Sequence, residues 1–115
     1  MNDRTLLELA ARAAGFTGYG FFLGDDGIDV SDETGTRFAW NPLTDDGDAL
    51  RLAVWLNLDI RYECYDAGVA VIVGGAWDNA PEALHEIFER DGPSATRRAI
   101  VRAAAEIGKS MGGVE

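Results

Sequence analysis

The sequence predicts an α+β fold: one domain over residues 1–115, with a mainly antiparallel sheet of about four strands packed with three to four helices. Three observations carry this. Apolar residues recur at spacings of three and four in separate stretches near both ends and in the middle. Between them lie short aromatic and β-branched runs, bounded by Asp-Gly and Gly-Gly turn chemistry. Hydrophobic residues make up 47% of the chain, enough for a core without metal or disulfide staples. The expected order is roughly α-β-β-α-β-β-α-α.

The first helix is expected over residues 3–14, where Leu6, Leu7, Ala10, Ala13 and Ala14 share a face. Asn2 or Asp3 can cap its start, and Gly15 suits the left-handed residue that closes a helix. "FTGYGFFL" (16–23) reads as a strand and "GDDG" (24–27) as a turn. "IDV" then opens a short second strand, "SDETG" (31–35) turns again, and "TRFAW" (36–40) reads as a strand paired with 19–23. A second helix follows over about 45–56. Leu50, Ala53, Val54 and Leu58 form one stripe, and Ala49, Leu52 and Leu56 widen it, which predicts a broad buried face. Asn57 stands where a left-handed C-terminal residue is needed, and Asn is the best substitute for Gly there.

Residues 58–66 alternate: Ile60, Tyr62 and Cys64 share one face, Arg61, Glu63 and Tyr65 the other. "DAG" turns the chain into "VAVIV" (69–73), a central strand. Pro81, behind an Asn79 cap, fits the first turn of a third helix with Ala83, Leu84, Ile87 and Phe88 on its apolar side. "RDGPS" (90–94) breaks it, and Ser94 caps a last helix over about 95–110 with Ile100, Val101, Ala104 and Ile107 inward. Gly112 and Gly113 mark a flexible tail from about residue 112.

Charge bears most directly on function. Twenty acidic residues face ten basic ones, for a net charge of −10. Such a chain repels phosphate backbones, so direct nucleic-acid binding is not expected, and basic protein surfaces are its natural partners. A single cysteine, Cys64, cannot form an internal disulfide, which fits a reducing, cytoplasmic setting. Cys64 is expected to be buried, and no basic motif flanks it to activate the thiol. The N-terminal "MNDRTLLELAARAAG" lacks the basic start and long apolar run of a secretory signal. No stretch approaches the roughly 20 apolar residues of a membrane span, so no membrane association is expected.

Two acidic clusters are the candidate sites. Asp45, Asp46 and Asp48 open the second helix: Thr44 or Asp45 can cap it, and aspartates in the first turn meet the positive end of the helix dipole. Their spacing fails the calcium-loop pattern, so no metal and no cofactor are expected. Asp25, Asp26, Asp29, Asp32 and Glu33 form the other cluster, in turn chemistry. Residues 24–48 hold eight acids and only Arg37 as a base; if the clusters converge, they make a single-sign patch that could mimic a phosphate array.

His85, the only histidine, has no nucleophile in evidence beside it, and neither dinucleotide nor P-loop glycine patterns occur. No catalytic residue is assigned, and the chain is expected not to be an enzyme. Arg97 and Arg98 fall in the first turn of the last helix, where cations are disfavoured, with Arg102 following one turn later. They either reach acids elsewhere, on helix two or at Glu89 and Asp91, or form an anion site. Trp40 is expected to pack under helix two. An exposed Trp55 or Trp77 would mark a protein interface.

"WNPLTDDGDALRLAV" (40–54), followed by "SATRRAIVRAAAEIGKSM" (94–111), resembles the small phage and prophage proteins grouped as the phage ABA (alpha-beta-alpha) sandwich domain family. "LLELAARAAG" (6–15) looks like the usual start of those proteins. The resemblance covers nearly the whole chain and is loosest in the middle. The chain departs from the pattern at Asn57, where the family has Gly, and at Trp55, where a lysine is usual. The resemblance implies a fold, a phage or prophage origin and the cytoplasm of a bacterial host. It implies no reaction and no catalytic residues.

The leading expectation is therefore a non-enzymatic accessory protein that binds a host or defence protein with a basic surface, as an anti-CRISPR or other anti-defence inhibitor would. The surface would comprise the eight acids together with Trp55 and Trp77. The alternative is a small-ligand or nucleotide-binding module with Arg97, Arg98 and Arg102 as its anion site. Self-association into a homodimer is open as well.

Overall fold

The structure is a computed structural model that describes residues 2–20, 27–66, 68–74, 84–88 and 91–112. In chain order the elements are α1 (Asp3–Ala14), β1 (Gly18–Gly20), β2 (Ile28–Ser31), β3 (Arg37–Trp40), α2 (Asp46–Trp55), β4 (Asp59–Tyr65), β5 (Gly68–Gly74), β6 (Leu84–Phe88) and α3 (Gly92–Gly112). The class is α+β with antiparallel pairing, as the sequence predicts. The strands divide into two three-stranded sheets, ordered β1-β2-β3 and β4-β5-β6.

Local capping chemistry sets the helix ends. The Asn2 carboxamide accepts the Thr5 N–H at 2.8 Å to start α1, and Gly15 ends it in the left-handed region at φ 88°. Asp45 caps α2 by accepting the Asp48 N–H at 2.8 Å. At the other end of α2, Asn57 adopts φ 54°. The Leu58 N–H reaches Ala53 O at 2.9 Å and the Asn57 N–H reaches Val54 O at 3.2 Å, the paired bonds of a Schellman motif.

The last helix begins earlier than expected. Asp91, not Ser94, supplies the cap, accepting the Ser94 N–H at 3.0 Å, and Pro93 sits in the first turn, where a missing N–H costs nothing. Arg97 and Arg98 therefore lie in the second turn, beyond the reach of the unfavourable dipole end.

Three strand expectations need correction. β3 pairs with β2 rather than with 19–23, in the register Ile28↔Trp40 to Ser31↔Arg37. The reason is the short turn between them: Asp32 N donates to Thr36 O and Gly35 N to Asp32 O, both at 3.0 Å, and so tight a loop is cheap to close. The helix expected around Ala83–Phe88 is instead β6, paired with β5 from Val69↔Phe88 to Val73↔Leu84. Five residues with apolar spacing of three and four are too few to separate helix from strand, and the open flank of β5 supplies the hydrogen bonds that decide it. The Asn79 and Pro81 start of that helix lies outside the described residues. Cys64 is exposed rather than buried, because β4 is an edge strand.

The core forms around α3. Its Ala99, Ile100, Val101, Ala103, Ala104 and Ala105 are buried against Leu6, Leu7, Ala10 and Ala11 of α1 and against Val71 and Val73 of β5. The many alanines let α1 and α3 approach closely. The tightest point is Gly108, where a Cβ would overlap the Leu9 carbonyl. Ile28, Val30 and Trp40 join the same cluster, as do Ala49, Leu52 and Ala53 of α2. The inward face of α2 is narrower than its sequence suggests: Leu50 and Val54 are exposed, because α2 packs on α3 along one side only. Among the described residues, no helix is long and apolar enough to cross a membrane.

Candidate functional site

The most distinctive surface lies where the ends of α1 and α2 meet the β2–β3 hairpin. The left-handed turn at Gly15 brings Phe16 back over the first sheet. Its ring makes edge-to-face contacts with three others: Trp40 at 5.1 Å, Phe38 at 5.6 Å and Trp55 at 6.0 Å between centroids. Trp40 is buried beneath, and its indole N–H finds no acceptor among the described residues. Phe38 and Trp55 remain 38% and 49% exposed. Ala14, Gly15, Phe16, Phe38 and Trp55 line a groove of about 500 Å³ with Asp32 and Glu33 along it.

Asp32 is held in the turn by the backbone and a hydroxyl of the residues that follow it. Asp32 Oδ1 accepts the Thr34 hydroxyl at 2.6 Å, the Thr34 N–H at 2.9 Å and the Thr36 N–H at 3.0 Å. The Thr34 hydroxyl leads in holding this carboxyl below its ordinary value; burial opposes the shift, and the backbone N–H groups add to it. All three of these donors fall on Oδ1, and the residue itself lines the groove. An aromatic face beside a fixed carboxylate suits a ligand with an apolar stem and a cationic head, the chemistry of an arginine or lysine side chain.

The other sequence candidates are dispersed. Asp29 lies on the opposite face of the first sheet from Phe38 and pairs with Arg37. Asp45 is the α2 cap, while Asp48 accepts the Asn41 N–H at 3.0 Å and an Arg51 N–H at 2.7 Å. Asp46 accepts from Arg97 at 2.6 Å. These three acids sit at the start of α2 and Trp55 at its end, about 14 Å away by helical rise. The two described acidic groups thus occupy opposite ends of α2 and form no single patch. Asp25, Asp26 and Trp77 lie outside the described residues.

The arginines do not converge either. Arg97 donates to Leu43 O at 2.8 Å as well as to Asp46, Arg98 approaches Asp3 at 3.4 Å, and Arg102 pairs with Glu86. Among the described residues, no three His, Cys, Asp or Glu side chains group so as to hold a metal ion.

Phe16 and Phe38 are the groove residues that sequence reasoning missed. Phe16 follows a helix-ending glycine, and Phe38 alternates with Trp40 on one strand face. Those are the signals that could have found them. Comparison of the chain with protein-family models, curated proteins and solved structures finds no match.

Proposed function

We propose that this chain is a non-enzymatic binding protein that captures a basic segment of another protein. The observation that carries the reading is the Phe16–Phe38–Trp55 groove with Asp32 and Glu33 along it. Half-exposed aromatic rings beside carboxylates offer both halves of a cationic side chain a place. The net charge of −10 would draw such a partner in. The resemblance to phage ABA sandwich proteins supports a phage or prophage accessory role in the bacterial cytoplasm, with a host or defence protein as the target and anti-CRISPR or other anti-defence inhibition as the outcome. Mimicry of a phosphate array is the weaker form of this reading, since the acids at the start of α2 are engaged in capping and ion pairs. The arginine-lined anion site is weaker still, since each arginine already meets a carboxylate.

The test is a pull-down from the bacterial host with wild type, Trp55→Ala, Glu33→Gln and Asp46→Asn. A basic partner retained by wild type and Asp46→Asn but lost by the other two supports the groove. A partner indifferent to Trp55 and Glu33, or none at all, sinks it.

A further inference from the structure

β4 is a seven-residue edge strand whose outer flank has no strand beside it among the described residues. Such an edge presents a row of unpaired backbone donors and acceptors and is a template for another strand. Tyr62 and Tyr65 are both over half exposed along it. On the α3 side of the edge, Ile60 and Tyr62 border a groove of about 450 Å³ with Leu50, Pro93 and Ile100.

The order of residues on this strand selects its partner. "DIRYECY" places Arg61 and Glu63 symmetrically about Tyr62. We infer that a second copy of this chain pairs antiparallel with β4, on a two-fold axis through Tyr62. In an antiparallel pair, opposed side chains share a face, so a two-fold axis must pass through a residue position. With the axis on Tyr62, all seven residues are paired and Arg61 faces the partner's Glu63 twice over. Moving it to Arg61 or Glu63 sets that charge against itself, which is unfavourable. Moving it to Ile60 or Cys64 leaves only three residues of each strand in register. Full overlap and charge complementarity thus coincide in one register.

Within one copy, Arg61 Nε lies 3.4 Å from Glu63 Oε2, and the Tyr65 hydroxyl donates to Glu63 Oε1 at 2.7 Å; across the axis the partner's Arg61 and Glu63 would join this cluster from the same face. Tyr62 meets the partner's Tyr62 beside the apolar groove, an aromatic pair of the kind that stabilises antiparallel strands. Cys64 falls opposite the partner's Ile60 on the same face.

The test combines sedimentation with cross-linking. At about 0.1 mM protein and moderate salt, which screens the −10 charge of each copy, wild type is expected to sediment as a dimer. Arg61→Glu places like charges opposite each other and is expected to raise the dissociation constant about tenfold or more. Arg61→Glu combined with Glu63→Arg restores the dimer. Ile60→Cys places a thiol opposite the partner's Cys64 at a Cα separation of about 5 Å, so mild oxidation yields a covalent dimer. Two Cys64 residues lie about 14 Å apart along the strands and do not cross-link in wild type. A wild-type monomer at this concentration overturns the inference, as does a dimer indifferent to Arg61→Glu or one that oxidises through Cys64 alone. A monomer whose β4 amides become protected only on adding an extended peptide assigns the edge to another partner and also overturns it.

Discussion

Gly108→Ala should destabilise the protein, although helix propensity predicts the reverse. Gly108 lies within α3, four residues from its end, and Ala in a helix interior is favoured over Gly by about 1 kcal/mol. The structure opposes this. A methyl group at Gly108 would overlap the Leu9 carbonyl oxygen and lie 2.8 Å from its carbon and 3.3 Å from its Cα. These are backbone atoms of α1, which cannot rotate aside. The helices must separate by roughly 1 Å, and a gap of that size forfeits up to about half of each dispersion contact across it. The surrounding Ala10, Ala11, Ala104 and Ala105 are fully buried and too short to follow. Overpacking of this kind costs about 1–3 kcal/mol, with a backbone clash at the upper end. Set against the propensity gain, the net loss is about 2 kcal/mol, a fall in Tm of about 8 °C for a chain this size. Thermal and urea unfolding followed by circular dichroism would measure it, with the urea slope unchanged. An unchanged or raised Tm would refute the close α1–α3 crossing.

Asp45→Ala should cost about 1 kcal/mol through loss of the α2 cap, while Asp46→Asn, whose carboxylate is 80% exposed, should change stability by much less; urea titration separates the two. The Asp32 carboxyl is held below its ordinary value of 3.8, so its contribution is present above that value and is lost as pH falls through the lower folded value. Asp32→Asn should flatten that part of the acid limb of the stability–pH profile, and an unchanged limb would argue against the turn geometry. Trp55→Ala should lose only about 1 kcal/mol of stability, from its contact with Phe16, yet weaken capture of a basic partner at least tenfold by calorimetry.

Legibility followed the range of the interaction. Asn2, Asp45, Gly15 and Asn57 act on backbone groups within a few residues, so sequence places the caps to within one residue, with Asp3 beside Asn2 and Thr44 beside Asp45 as equally good types. Asp91 escaped because Ser94, three residues on, is an equally good cap by type. Strand pairing depends on which flank is open, and nothing in "LHEIF" says that β5 waits beside it. Leu50 and Val54 fit a helical stripe, yet only the placement of α2 on α3 shows that the stripe overshoots the core. The groove was least legible of all. Phe16, Glu33, Phe38 and Trp55 come from four elements or turns and share no spacing, so only the fold brings them together.

The net charge of −10 overstates how much acidic surface is free to act. Asp29, Asp45, Asp46 and Asp48 are occupied by Arg37, a helix cap, Arg97 and the Asn41–Arg51 pair. Exposed ion pairs are worth about 0–1 kcal/mol each, so acidity alone speeds encounter without holding a partner. Retention must come from contacts that shed water, and Asp32 and Glu33 line a groove with the exposed rings of Phe38 and Trp55. The two contributions separate by kinetics. Raising salt from about 0.05 M to 0.5 M shortens the Debye length severalfold and should slow association with a basic partner. Dissociation, governed by Trp55 and Phe38, should change little. Surface plasmon resonance resolves the two rates; a dissociation rate that rises with salt as steeply as association falls would mean that charge, not the aromatic groove, holds the complex.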